Sequence, residues 1–235
     1  MEYAEVMTEL ESLGKERTKK MYLSNGAVEP LFGVTTGSMK PMRKAIKINQ
    51  DLAEELYASG NYDAMYFAGV IADANAMTEA DYDRWMDQAY CFMLADWVVA
   101  VTLSEANIAQ EVADKWIASG EELRMSAGWS TYCWLLGRLK DDNFDEDKLS
   151  AMLEQVKETI HDQPERTKHS MNNFVYTVGL SYIPLSEKAL AVAEEIGELV
   201  IEREHKKPQT LNAYASIQKE IERNRIGFKR KYVRC

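Results

Sequence analysis

Leu149, Leu153, Val156 and Ile160 recur at steps of three and four, and Ala189, Ala193, Ile196 and Val200 do the same, so each set forms one apolar stripe along a helix. No run of comparable length alternates with period two, so the chain is expected to be all-α, with no sheet. Helices are predicted over residues 16–23, 78–88, 145–160 and 186–203, among others. Turn signals separate them: Ser24-Asn25-Gly26, Gly33-Val34-Thr35-Thr36-Gly37, Ser59-Gly60-Asn61, Ser119-Gly120, Asp141-Asp142-Asn143, Gln163-Pro164 and Lys207-Pro208.

The helices fall into loosely similar pairs. The first member carries small or short polar residues, as in Phe67-Ala68-Gly69, Ser126-Ala127-Gly128-Trp129 and Met171-Asn172-Asn173-Phe174, which let backbones approach closely. Each is followed by an amphipathic helix. Pairs of this kind cannot bury an apolar face alone and stack as HEAT-like repeats, a curved α-solenoid of antiparallel pairs with a concave groove; an irregular helical bundle is the alternative. Trp116, Trp129 and Ile160 are expected in the core. The whole chain, 1–235, reads as one domain with a basic tail over 223–235.

With 235 residues, 46% of them hydrophobic, the chain can bury a full core. No apolar stretch approaches the roughly 18 residues of a membrane span. The first residues lack the basic and apolar regions of a signal peptide, so a cytoplasmic location and no membrane partner are expected. Cys91, Cys133 and Cys235 are odd in number and far apart, and His161, His169 and His205 show no metal-ligand spacing. Neither a disulfide framework nor a metal or other cofactor is expected. The net charge is −10, yet Arg223, Arg225, Lys229, Arg230, Lys231 and Arg234 run to the end of the chain with no acid between them. Such a tail, with Phe228 and Tyr232, either contacts phosphates or packs on the protein's own acidic face.

Asp96 stands alone in the apolar run from Cys91 to Leu103. Burying an unpaired carboxylate costs several kcal/mol, roughly, so Asp96 either caps a helix beginning at Trp97 or faces a cleft that uses its charge. Phe92, four residues earlier, would share its face on a continuous helix, with Trp97 turned to the core.

Several blocks together resemble the DNA alkylation repair family of HEAT-like repeat DNA glycosylases, the AlkD-like proteins. They are Leu31-Phe32-Gly33-Val34-Thr35-Thr36 with the basic segment Met39-Lys40-Pro41-Met42-Arg43-Lys44; Phe92-Met93-Leu94-Ala95-Asp96; Trp116-Ile117-Ala118-Ser119 with the stretch from Leu123 to Trp129; the segment from His161 to Phe174; and the ending from Ile226 to Cys235. The order and spacing of these blocks carry the resemblance across nearly the whole chain.

The resemblance implies hydrolysis of the N-glycosidic bond of cationic alkylpurines such as 3-methyladenine and 7-methylguanine in double-stranded DNA, by a monomer. Asp96 would stabilise an oxocarbenium-like sugar, Phe92 and Phe174 would wall it, and Arg124 would hold a nearby phosphate. Lys40, Arg43 and Lys44 would hold the flanking backbone, and Lys229, Arg230, Lys231 and Arg234 further phosphates. The chain departs from the family pattern where Phe92 and Phe174 replace tryptophans and Met93 replaces an acid. The expectation is therefore a divergent glycosylase-like protein. The alternatives are a non-catalytic HEAT-like nucleic-acid-binding module and a protein-binding scaffold.

Overall fold

A computed structural model describes residues 1–203 and 206–234, so His205 and Cys235 of the residues weighed above lie outside the described ones. The chain, expected as one domain, falls into two compact units: residues 1–112 together with Arg234, and residues 113–233. Helices α1 (Tyr3–Leu13), α2 (Glu16–Leu23), α3 (Lys40–Ile46), α4 (Gln50–Ala58), α5 (Tyr62–Ile71), α6 (Glu79–Gln88), α7 (Phe92–Leu94) and α8 (Ala100–Leu103) lie in the first unit. A π-helical turn, Ala95–Val99, joins α7 to α8. Helix α9 (Ala109–Ile117) spans the boundary. The second unit holds α10 (Glu122–Leu136), α11 (Glu146–Thr159), α12 (Glu165–Ser181), α13 (Ser186–Ile196) and α14 (Ala213–Glu222). No helix among the described residues is long and apolar enough to cross a membrane.

Short polar residues cap several helices, and one of them, Asn61, lies in a predicted break. Asn49, Asn61, Thr78, Asp145 and Asn212 each accept a backbone N–H at the start of the following helix. Two small residues matter for close packing. A Cβ on Gly69 of α5 would lie 2.6 Å from Val98 Cγ1 in the π-turn, and one on Gly128 of α10 would lie 2.8 Å from the Ala113 carbonyl of α9. In the second unit, α12 packs against α10, α13 and α14. Trp116, Trp129 and Ile160 are buried, as expected, and Trp129, Tyr132 and Phe174 form an aromatic centre.

Two expectations are corrected. The helix predicted over 186–203 ends at Ile196, because Gly197 takes a φ of 70°, a left-handed conformation that terminates it. Val200, read as part of the helical stripe, instead lies in β1 (Leu199–Ile201), which pairs antiparallel with β2 (Gln209–Leu211) in the register Leu199 to Leu211. Three residues are too short for alternation to stand out in a sequence.

Candidate nucleic-acid interface

Asp96 does not cap a helix. Leu94 and Ala95 already have helical dihedrals, and Asp96 is the second residue of the π-turn. Its side chain is buried, with 1% of the residue exposed, whereas Trp97, expected in the core, is 45% exposed. The wide turn causes this exchange. A π-turn advances the chain by one residue more than an α-turn does, so residues beyond it rotate relative to those before. Phe92, half-buried, accordingly meets Trp97 edge to face, with ring centroids 5.4 Å apart. Burial pushes the Cys91 thiol above its usual range, and the nearby Asp96 carboxylate adds to the shift.

A second carboxylate positions the basic segment. Asp63, fully buried near the start of α5, accepts the backbone N–H groups of Phe32 at 2.6 Å, Gly33 at 2.9 Å and Val34 at 2.7 Å. Burial pushes its carboxyl up, against the pull of these three donors. Gly33 has φ of 82°, and a Cβ there would lie 2.5 Å from the Lys19 backbone nitrogen, so the loop presses directly on α2. Tyr22 adds a bond from its hydroxyl to Val34 O at 2.9 Å. Two residues after Val34 the chain enters a 3₁₀ turn, Thr36–Met39, and then α3. There Lys40 and Lys44 are exposed and Arg43 is half-buried, and none of the three forms an ion pair among the described residues.

In the second unit, Phe174 is enclosed by Trp129, with centroids 5.0 Å apart, and by Tyr132. A fully buried ring presents no face to a sugar, so Phe174 is a core residue and not an aromatic wall. Arg124 pairs with Glu121 at 3.1 Å at the start of α10. The tail divides. Lys229 is engaged within the protein, donating to Leu136 O at 2.8 Å and pairing with Asp141 at 2.9 Å. Arg223 and Arg225 both pair with Glu220. Arg230 and Lys231 are exposed, the former 5.3 Å from the centroid of the Trp134 ring. Arg234, half-buried and part of the first unit, pairs there with Glu105 and donates to Gly69 O and Ala72 O. The seven basic residues assigned to DNA therefore differ: Lys229 and Arg234 hold the fold, while Lys40, Arg43, Lys44, Arg230 and Lys231 remain available. Asp63 went unnoticed in the sequence, although the reasoning that singled out Asp96 applies to it: it is the lone acid in the run from Tyr62 to Ala72.

Residues 6–217 match the DNA alkylation repair enzyme family, to which the chain belongs. A solved structure described as representing a new family of proteins related to the HEAT-like repeat DNA glycosylases, with affinity for branched DNA structures, is 68% identical, covers 100% of both chains and superposes with a TM-score of 0.97. The fold is thus a HEAT-like repeat fold. An uncharacterized protein of Listeria innocua is 28% identical over 226 residues, spanning 94% of this chain and 96% of its own. Another from Listeria monocytogenes is 27% identical over 197 residues, spanning 82% and 85%.

Proposed function

We propose that the protein is a DNA-binding member of its family that recognises branched DNA and does not excise bases. In this reading Lys40, Arg43 and Lys44 on α3 hold phosphates, and the exposed Trp97 indole stacks on a base left unstacked at a branch point. The observation that carries it is the exchange of exposure at the π-turn: Asp96 is 1% exposed while its neighbour Trp97 is 45% exposed. A carboxylate that stabilises an oxocarbenium ion must approach the sugar, and an indole that stacks must reach a base. The affinity for branched DNA described for the 68% identical neighbour supports the same reading.

A second reading, excision of cationic alkylpurines, is favoured by one observation. Asp96 sits in a π-turn, a feature frequent at functional sites. Two measurements separate the readings. Fluorescence anisotropy with a four-way junction and a linear duplex of the same arm sequence should show the junction bound at least about tenfold more tightly, a difference of about 1.4 kcal/mol. Incubation of methylated duplex with saturating protein should release no 7-methylguanine. Equal affinity for the two DNAs would remove the proposal, and release that disappears in Asp96→Asn would establish the second reading.

A further inference from the structure

Two hydrogen bonds meet at the carbonyl of Gly69. It accepts from Thr102 Oγ1 at 3.3 Å and from Arg234 Nη1 at 2.9 Å, and the same Thr102 oxygen lies 2.8 Å from Val98 O inside the π-turn. Val98 itself packs on Gly69 so closely that no Cβ fits between them. Gly69 is in the last turn of α5, where carbonyls lack intrahelical partners, and the N–H of Asp73 that would extend the helix instead donates to Gln50. Arg234 fills this gap. One nitrogen serves Gly69 O and Ala72 O, the latter at 2.7 Å, and the other two face the Glu105 carboxylate. A planar fork of donors suits this arrangement, and its positive charge complements the negative end of α5. Between Lys47 and Lys115 the chain carries a single basic side chain, Arg84, which pairs with Glu54 and Asp81. Arg234, whose side chain is 8% exposed, provides the cation for Glu105.

We propose that Arg234 is a positioning residue for the Asp96–Trp97 turn: it acts through Gly69 and Thr102 on Val98, and does not touch DNA. Without it, the Ala72 carbonyl loses the Arg234 donor, the Gly69 carbonyl keeps only the longer bond from Thr102, and Glu105 loses the Arg234 guanidinium. The end of α5 then shifts, and the turn packed on Gly69 shifts with it. The setting of Trp97 in the first unit therefore depends on Arg234, a residue far from it in sequence. This rests on the proposed DNA binding only for its effect on affinity; the coupling to Trp97 stands apart from it.

The test uses the full chain labelled with 5-fluorotryptophan, with the Trp97 resonance assigned by Trp97→Phe. In Arg234→Gln that resonance should move, and affinity for a four-way junction should fall by about threefold to tenfold. The slope of log K against log salt should stay as in the parent, because no phosphate contact is lost. Arg234→Lys keeps the charge but offers one nitrogen for three acceptors, so it should give a smaller shift. Lys231→Ala, on an exposed residue, should leave the resonance in place. An unmoved Trp97 resonance in Arg234→Gln overturns the proposal, as does a slope flattened by about 0.9, the mark of a direct phosphate contact. If Arg234→Gln does not fold, Arg234→Lys decides, and no shift there overturns the idea. If the parent shows no junction preference, the proposed function fails, while the Trp97 resonance still decides the positioning role.

Discussion

Phe92 and Trp97, five residues apart, meet edge to face with their ring planes at 85°. In an α-helix the neighbours of Phe92 on its own face would be residues three and four further on, and Asp96 would be one of them. The π-turn substitutes Trp97 for Asp96 in that relationship. Asp96 thereby turns inward and the indole outward, with Phe92 bracing its edge, so one extra residue in a turn decides which chemistry faces solvent.

Because Trp97 is exposed, its removal should affect binding more than folding. Base stacking on an aromatic side chain contributes about 1–3 kcal/mol, so Trp97→Ala should weaken junction binding by about 5- to 150-fold. A fully paired linear duplex offers no unstacked base and should lose less than about twofold. Anisotropy titrations of the two DNAs side by side check this, and equal losses on both would show that Trp97 does not read the branch.

Asp63 should be a strong determinant of the first unit. In Asp63→Asn the amide nitrogen replaces one acceptor and faces a backbone N–H, leaving a buried donor unsatisfied at a cost of about 1–3 kcal/mol. Thermal unfolding should show the loss, and amide exchange should accelerate at Phe32, Gly33 and Val34. Exchange at the second unit should be unchanged.

How much of this was legible in the sequence depends on the range of the interaction. Apolar stripes such as Leu149 to Ile160 are local, and they fixed the helices and the buried positions of Trp129 and Ile160. Gly69 and Gly128 were recognisable as close-approach positions because only a missing side chain allows such contact. The π-turn has no residue signature, so the orientation of Asp96 and Trp97 could not be read. Phe174 was matched by position to a site residue, and only the packing of Trp129 and Tyr132 around it shows that it is core. Arg234 reads as part of a basic tail that either contacts phosphates or packs on the protein's own acidic face, and the sequence does not choose between them because its partner, Glu105, is 129 residues away.

His169 on α12 should make stability depend on pH. Burial, with a smaller contribution from Arg166, lowers its pKa from 6.5 to about 4, and Asn173 Nδ2 lies 3.2 Å from its Nδ1. Between these two values the unfolded chain takes up a proton that the native protein does not. Stability should therefore fall as pH drops from 6.5 towards 4, by up to about 1.4 kcal/mol per unit, and this contribution should cease to change below 4. Urea unfolding at pH 7 and pH 5, in the parent and in His169→Asn, isolates the effect. An equal pH dependence in both would assign it to other groups.

The basic residues should separate into two kinds when salt is varied. Each phosphate contact contributes about 0.9 to the slope of log K against log salt on duplex DNA, because binding releases condensed counterions. Lys40, Arg43 and Lys44 have no ion pair among the described residues, so replacing all three with alanine should flatten the slope by up to about 2.7 while leaving the unfolding midpoint nearly unchanged. Lys229→Ala should behave in the opposite way. It removes the donor to Leu136 O and the partner of Asp141, so the second unit should lose stability while the slope holds. Affinity measured from 50 to 200 mM salt, roughly the range over which such contacts are most visible, together with thermal unfolding of each variant, distinguishes the two. A flattened slope in Lys229→Ala, or an unchanged one in the triple variant, would reverse the assignment of which cations reach DNA and which hold the protein together.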